Sequence, residues 1–416
     1  MKIYETIVIG GGPSGISCVY HLKNLGVDYL LIEQKEMLQT WKHERWDSFY
    51  LVTPNWMTNL PGVEHLIPYD NAYMSRSEIE HVLIEYLNYV DPNYVENTEI
   101  KNIEKENDYY RFNTNNGTYY AKNIIVAIGM FNKPFIPAIS KDIPSEVNQI
   151  HSMDYFNPEQ LEEGSTVVVG AGRSGVQIAL EVKQKKAYDC YLSIGSLTPL
   201  PTIYKNINGV YWLNRLSGYK EGKDHLPYRH EDLRNDNILN KLNQNLYNCQ
   251  KEGVKLLGRM VAANSETIEF KENLKDIFKT ADRYKKKIEV KVNDMVEGEN
   301  FEITAPSVAL DSTPIDHNDL EELNHLNLKQ SDIKNIIWCT GFKPNYSWLT
   351  VDIFDEAGNI NLIDGVRTTE NVYFCGMSLQ PDPETKSSFG VGLFALVESA
   401  KRAVEALAED MHKTEL

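Results

Sequence analysis

Two glycine-rich segments have the residue types and spacing that bind the diphosphate of a dinucleotide. Residues 10–15 read GGGPSG directly after the apolar residues 7–9, and residues 170–175 read GAGRSG directly after the apolar residues 167–169. The first glycine of such a turn permits the tight bend, the second lets a pyrophosphate approach the backbone, and the third lets helix pack on strand. One such motif is weak evidence. Two in strand-to-helix context predict two bound dinucleotides, as electron transfer between a nicotinamide and a flavin requires.

The first fingerprint is followed by the other parts of a dinucleotide site. Apolar residues at helical spacing predict a helix over residues 14–25, which Gly26 ends. A second apolar strand, residues 29–32, ends at Glu33. An acid about 20 residues beyond the glycines is placed to accept hydrogen bonds from ribose hydroxyls. The alternative, a glycine turn that binds nothing, accounts for fewer of these features.

The second fingerprint leaves its cofactor open. A predicted helix over 174–186 and a strand over 190–194 are followed by Gly195 and Ser196, where an acid would select NADH. No arginine lies close in sequence to pair with the 2′-phosphate of NADPH. Ser196, Thr198 and Lys205 could serve a phosphate, but an ordinary solvated loop is the better explanation of these three residues.

Composition excludes several classes of function. A net charge of −17 argues against nucleic-acid binding, which needs clustered Lys and Arg. We find neither a signal peptide nor an apolar run of membrane-span length, so we expect a cytoplasmic protein without a membrane partner. None of the five cysteines is spaced as C-x-x-C, which predicts neither a zinc site nor a redox dithiol. The ten histidines form no recognisable metal motif, so no metal is predicted.

The order of motifs predicts an α/β fold with two Rossmann-like dinucleotide-binding domains, the second inserted into the first. Residues 123–129 and residues 335–341 are similar strand-and-turn elements, and each follows one fingerprint. We place the split first domain at 1–155 and 330–416, and the second at 156–329. Within the second, residues of about 204–280 are predicted to be a helical insertion that serves either as a lid or as a packing appendage. Residues 387–392 should open a final helix, 393–409, whose N-terminus faces the flavin ring.

The chain resembles the class B flavoprotein monooxygenases over nearly its whole length, in particular bacterial members related to indole-pyruvate monooxygenases. The resemblance rests on both fingerprints, on residues 127–129 and 339–342, and on the tryptophan-containing segment 41–56. The family signature F-x-G-x-x-x-H-x-x-x-[YW] is matched at His151 and Tyr155. It is missing at Ser145 and Val147, where the family has Phe and Gly.

This resemblance implies FAD at the first site and NADPH or NADH at the second. Hydride would pass to the flavin, which would react with O2 to form a C4a-(hydro)peroxide and insert one oxygen atom into a small organic substrate at nitrogen, sulfur or a carbonyl. Two alternatives stay open: an NAD(P)H-dependent oxidoreductase or oxidase without oxygen insertion, and a non-catalytic flavoprotein redox sensor. A homodimer is an open possibility for the assembly.

The resemblance also implies the site residues. Asn55 would support the peroxide, with Asn59 as the alternative if the alignment slips, and a turn residue after Pro54 is an equal explanation of Asn55. The expected cofactor-binding residues are Gly10, Gly12, Pro13, Ser14, Gly15, Glu33, Gln34, Trp41, Thr53, Ala127, Gly129, Gly170, Gly172, Arg173, Ser174, Gly175, Thr340, Gly341 and Gly376.

Overall fold

The two apolar runs that precede the fingerprints are central strands of two separate sheets. The computed structural model describes residues 1–68, 71–196, 203–205, 207–216, 244–298, 320–356, 358–376 and 393–414. The helices are α1 (Pro13–Asn24), α2 (Gln39–His43), α3 (Arg76–Val90), α4 (Arg173–Lys185), α5 (Gly209–Leu216), α6 (Leu246–Lys251), α7 (Leu274–Gly298) and α8 (Leu393–Thr414). Short 3₁₀ turns are Asn55–Met57, Glu64–Leu66, Ala138–Asp142 and Pro158–Gln160.

The strands alternate with these helices along much of the chain. They are β1 (Tyr4–Ile9), β2 (Tyr29–Ile32), β3 (Tyr94–Val95), β4 (Ile100–Glu106), β5 (Tyr109–Thr114), β6 (Gly117–Val126), β7 (Lys133–Pro134), β8 (Asn148–His151), β9 (Ser165–Val169), β10 (Cys190–Ser193), β11 (Ile203–Tyr204), β12 (Ile207–Asn208), β13 (Lys255–Leu257), β14 (Met260–Ala263), β15 (Thr267–Phe270), β16 (His325–Asn327), β17 (Ile333–Trp338), β18 (Phe342–Lys343) and β19 (Val372–Phe374).

The first sheet has the order β3-β2-β1-β6-β5-β4, with β19 also paired to β6. Strands β3, β2, β1, β6 and β19 run parallel, whereas the first half of β6 pairs antiparallel with β5. Helices α1 and α8 share one core cluster on this sheet. Parallel strands covered by helices are buried on both faces and therefore read as continuous apolar runs, which is why β1 was visible in the sequence.

The second sheet is parallel throughout, in the order β13-β10-β9-β17-β8. Strands β8 and β17 therefore belong to the second sheet, and the domain boundaries drawn at 155/156 and 329/330 assign them to the wrong side. The polar composition of β8 gave no strand signal. The recurrence of residues 123–129 at 335–341 is confirmed, because β6 lies beside β1 as β17 lies beside β9.

The expected helical insertion over 204–280 is wrong for part of its length. The structure has helices α5 and α6 and the start of α7 there, but also β13 at the edge of the second sheet and the antiparallel pair β14–β15. The strands here are short, so they carry little of the alternation by which a strand is identified in a sequence. In β15, Ile268 and Phe270 are buried on either side of an exposed residue, but the helical spacing of the flanking residues outweighed this pattern. Residues 217–243 lie outside the described part of the chain, so the lid prediction is not tested.

The two sheets are joined by paired linkers. Strands β7 and β18 pair antiparallel, with Phe342 opposite Pro134. The Nε2–H of His151 donates to the carbonyl oxygen of Gly341 over 3.0 Å, because its Nδ1 accepts the N–H of Met153. Burial lowers the pKa of His151, which keeps the ring neutral in this arrangement. The signature histidine thus fixes the connection between the domains.

The final helix α8 confirms the predicted helix and extends it to Thr414. Residues 387–392, expected to open it at the flavin, lie outside the described residues. No described helix is long and apolar enough to cross a membrane.

Candidate dinucleotide sites

Both fingerprints fold into the same turn. Gly10 has φ +110° and Gly170 has φ +109°, a backbone conformation that favours glycine. Each donates its N–H over 2.9 Å to the last residue of the neighbouring strand, Ile32 or Ser193. A Cβ on Gly10 would lie 2.6 Å from the carbonyl oxygen of Ala127, and one on Gly170 would lie 2.4 Å from that of Cys339. The first glycine is therefore required at both sites, because of its backbone conformation and because a side chain would meet the neighbouring carbonyl oxygen.

The third glycine of each motif is fixed by the first. A Cβ on Gly15 would lie 1.9 Å from the carbonyl oxygen of Gly10, and one on Gly175 would lie 1.8 Å from that of Gly170. No side chain fits at that distance, so helix and strand approach closely at both sites. These two glycines shape the turn, as the motif predicts.

The second glycine of each motif is not required by close packing, because open space lies where its side chain would be. A Cβ on Gly12 or on Gly172 would meet no described atom within 4 Å, and both glycines have extended backbone that any residue adopts. Each begins its helix without a side-chain cap, so the first N–H groups of α1 and α4 face this space. A cradle that a Cβ would fill, at a helix N-terminus, fits the diphosphate of a dinucleotide.

At the first site this cradle opens into a cleft with a volume of about 280 Å³. It runs from the end of β2 across the start of α1 to the turn after β6. The expected site residues that line the cleft are Gly10, Gly12, Pro13, Ser14, Glu33, Gln34, Trp41, Ala127, Gly129 and Gly376.

Glu33 has the geometry of a hydrogen-bond acceptor at one end of this cleft. Its Oε2 accepts the N–H of Gly11 over 2.6 Å and its Oε1 accepts the N–H of Lys35 over 2.9 Å. Burial raises the pKa of Glu33, and the two backbone donors oppose that shift. The carboxylate is therefore oriented by backbone on the side where a ribose would lie.

Arg45 is a cleft residue that the sequence did not single out. Its guanidinium carbon lies 5.2 Å from the ring centre of Trp41 and 5.0 Å from that of Phe131, and its Nη1 donates to the carbonyl oxygen of Glu44 over 3.0 Å. Burial lowers its pKa to about 10. The neighbouring Glu44 carboxylate pairs instead with Lys35 over 2.9 Å. A buried cation in a cleft predicted to hold a diphosphate is a candidate diphosphate-binding group, in addition to the N-terminus of α1.

The remaining expected residues lie outside the cleft lining. Thr53 and Asn55 are buried, and Asn55 begins the 3₁₀ turn after Pro54, with its N–H donated to Ala72 over 2.9 Å. Asn59 is exposed. Thr340 and Gly341 bind the linker, since the hydroxyl of Thr340 donates to Phe135 and the carbonyl of Gly341 accepts from Phe135 and His151. Tyr155, the other signature residue, donates to Glu181 of α4 over 2.8 Å.

At the second site, three of the predicted residues lie at or near the surface, whereas Gly170 is half-buried and Gly175 is buried. Gly172 and Arg173 are exposed and Ser174 is half-buried at the start of α4. Strand registers pair Ile9 with Ile32 and Val169 with Ser193. The position equivalent to Glu33 is therefore Ile194, which is buried. The two sites share the turn and differ at the residue that reads the ribose.

The cysteines are distributed through the cores. All five lie in the described residues, and none of them lines the cleft. The fold nevertheless brings the sulfurs of Cys18 and Cys375 to 3.4 Å, a pair that spacing in the sequence could not show. Both are fully buried, and burial raises the pKa of the Cys18 thiol well above its ordinary value. Within the described residues, no group of His, Cys, Asp and Glu could hold a metal ion.

Comparison with known proteins identifies a family and several relatives that are similar to this chain. Residues 7–192 match the family model described as pyridine nucleotide-disulphide oxidoreductase. The chain is 30% identical to an uncharacterised oxidoreductase, CzcO, of Bacillus subtilis (strain 168), over 94% of this chain and 96% of that protein. It is 27% identical to the probable indole-3-pyruvate monooxygenase YUCCA1 of Arabidopsis thaliana over 44% of this chain and 46% of that protein.

Solved structures include chains that are similar to this one along its full length. A flavin-containing monooxygenase from Stenotrophomonas maltophilia aligns with a TM-score of 0.66 at 17% identity, covering 99% of this chain and all of that chain (100%). At that identity the likeness establishes the fold, with two dinucleotide-binding domains along the full length.

Proposed function

Because this chain belongs to the pyridine nucleotide-disulphide oxidoreductase family, as a CzcO-like oxidoreductase, we propose that it is an FAD-dependent, NAD(P)H-driven monooxygenase of a small organic substrate. The protein is a flavin- and NAD(P)-dependent oxidoreductase of this family. Oxygen insertion is the finer proposal. Its support is the similarity to the probable indole-3-pyruvate monooxygenase YUCCA1, the class B resemblance of segment 41–56, and the placement of the cysteines.

The proposal depends mainly on one observation: the same turn occurs at the carboxyl end of a central strand in each of the two sheets. The same glycine at φ +110° and +109°, the same close contact of the third glycine, and the same open space at Gly12 and Gly172 provide two diphosphate cradles in one chain. When bound, FAD accepts hydride from a reduced nicotinamide and in its reduced form reacts with O2.

The chain's own residues bind and orient these groups. The start of α1 and the guanidinium of Arg45 would supply positive charge to the diphosphate, and Glu33 would accept hydrogen bonds from the ribose. Trp41 and Phe131, which pack on Arg45, cover one side of the cleft with apolar surface. Excluding water there would limit the loss of activated oxygen as hydrogen peroxide.

The cysteines favour an acceptor other than a disulfide. Exchange requires a thiolate that the substrate disulfide can reach. Cys18 and Cys375 are buried behind the cleft wall, and none of the five cysteines lines it. We therefore assign the electrons of the reduced flavin to O2, with Asn55 retained as the proposed support for oxygen chemistry.

Measuring how consumed O2 divides between product and hydrogen peroxide tests the proposal. Amines, sulfides, ketones and 2-oxo acids should be screened with FAD-loaded protein and each nicotinamide. We expect one class to convert O2 into oxygenated product, and Asn55→Ala to shift O2 toward hydrogen peroxide while leaving flavin reduction intact. Asn59→Ala tests the alternative position: because Asn59 is exposed, we expect it to leave the division of O2 unchanged, and a shift there in place of Asn55→Ala would move the assignment to Asn59. Stoichiometric hydrogen peroxide with every substrate would replace this proposal by the oxidase alternative.

A further inference from the structure

The loop after β13 carries an arginine to the ribose end of the second dinucleotide site. Both Nε and Nη2 of Arg259 donate to the carbonyl oxygen of Gly195, over 3.3 and 2.9 Å. Gly195 follows Ile194, the position equivalent to Glu33 of the first site. We propose that Arg259 binds the 2′-phosphate of NADPH and makes this site selective for NADPH over NADH. This inference rests on the proposed second dinucleotide site.

The comparison between the two repeats supplies the first step. In this class of site, the residue after the second strand meets the adenine ribose, where an acid accepts from the 2′-hydroxyl of NADH and a nearby arginine accommodates the 2′-phosphate of NADPH. Glu33 is the acid of the first site. Ile194 replaces it at the second with a buried apolar side chain, which cannot accept from a hydroxyl and does not repel a phosphate.

The second step is that Arg259 is held in place by its own backbone. The hydroxyl of Ser193, the last residue of β10, donates to the carbonyl of Gly258 over 2.9 Å and accepts the N–H of Met260 over 3.1 Å. Arg259 therefore stands between two residues that one buried serine fastens to the strand end. Its carbonyl also accepts the N–H of Lys271 over 2.9 Å. Such fixation lowers the entropy lost when the side chain binds a ligand.

The third step concerns the charge. A guanidinium has five N–H donors, and Gly195 engages two of them. Across the described ranges, no carboxylate forms an ion pair with Arg259, whereas Lys255 on the same strand–loop unit is paired with Asp189 over 2.6 Å. Arg259 is also exposed at the sheet edge. An anchored, exposed guanidinium with no acidic partner in the described part of the chain suits the planar, bidentate recognition of a phosphate.

Binding measurements on full-length, FAD-loaded protein test this assignment independently of turnover. Calorimetric titrations should use NADPH, NADH, adenosine 2′,5′-bisphosphate and adenosine 5′-monophosphate. We expect the two 2′-phosphorylated ligands to bind more tightly. Arg259→Ala should weaken them by roughly 10- to 100-fold and leave NADH within about twofold. Arg259→Lys should retain part of the preference, because charge remains while the fork geometry is lost.

Arg283→Ala is the matched control, since Arg283 is exposed on α7 and the change removes the same charge. FAD content and the unfolding temperature report whether Arg259→Ala still folds. Equal wild-type affinity for NADPH and NADH, or equal weakening of both by Arg259→Ala, would overturn the phosphate assignment while leaving the dinucleotide site in place. An FAD-loaded wild type that binds none of the four ligands would overturn the second site itself.

Discussion

The sulfur atoms of Cys18 and Cys375 lie 3.4 Å apart although 357 positions separate them in the chain. Cys18 is in α1, directly behind the first fingerprint, and Cys375 follows β19 and precedes Gly376 at the cleft. The contact shows how the last segment of the chain returns to complete the first domain. It also provides a test of whether a dithiol takes part in the chemistry.

We expect this pair to be inert in the native protein. Burial and the raised pKa of Cys18 disfavour the thiolate that reacts with thiol reagents. In a Cys339→Ala background, which removes the one cysteine that is not fully buried, native protein should show almost no labelling and denatured protein should show four reactive thiols. Rapid labelling of Cys18 or Cys375 in the native protein would indicate an accessible dithiol instead.

Gly12→Val and Gly172→Val should each prevent dinucleotide binding at one of the two sites. Both glycines have extended backbone and open space for a side chain, so neither change strains the turn. Gly12→Val should weaken FAD binding by at least about 100-fold, because the side chain would occupy the diphosphate cradle. Gly172→Val should leave FAD bound and abolish nicotinamide binding. Flavin fluorescence and calorimetry measure the two affinities, and unchanged FAD affinity in Gly12→Val would contradict the cradle.

Glu33→Gln should weaken FAD binding by about tenfold, since one of two oriented acceptor oxygens becomes a donor. Burial raises the pKa of Glu33, so the wild type should lose FAD affinity on acidification at a higher pH than an exposed glutamate would impose. The variant should lack this part of the pH dependence. Titrations of FAD between neutral and mildly acidic pH measure both effects, and parallel curves for the two proteins would exclude Glu33 as the group responsible.

His151 should make stability depend on pH. Its pKa is lowered in the folded protein, so the unfolded chain binds the proton more readily. The contribution of His151 to the free energy of unfolding is fully present above about pH 6.5, the ordinary pKa of histidine. It is lost as the pH falls toward the lower pKa that His151 has in the folded protein. Denaturant unfolding at neutral and acidic pH should show a smaller loss in His151→Gln, which keeps a donor for Gly341. An identical loss in both proteins would assign the acid sensitivity to other groups.

The sequence predicted what local pattern encodes. Residues 10–15 and 170–175 carry the turn chemistry in six positions each, so both cradles, their helices and Glu33 could be located before the fold was known. Arg259 could not be, because it reaches Gly195 across 64 positions and through the pairing of β10 with β13. Strand β8 escaped detection because its composition is polar, although its place beside β17 buries His151.

Anaerobic flavin reduction tests most directly that two dinucleotide sites work together in this chain. FAD-loaded protein mixed with NADPH in the absence of O2 should lose the visible absorption of oxidised flavin as one equivalent of NADPH transfers its hydride to each FAD. Gly172→Val with FAD bound should retain that absorption, since its nicotinamide cradle is filled. If the wild type, fully loaded with FAD, keeps its oxidised spectrum with both NADPH and NADH, the two-site account is wrong.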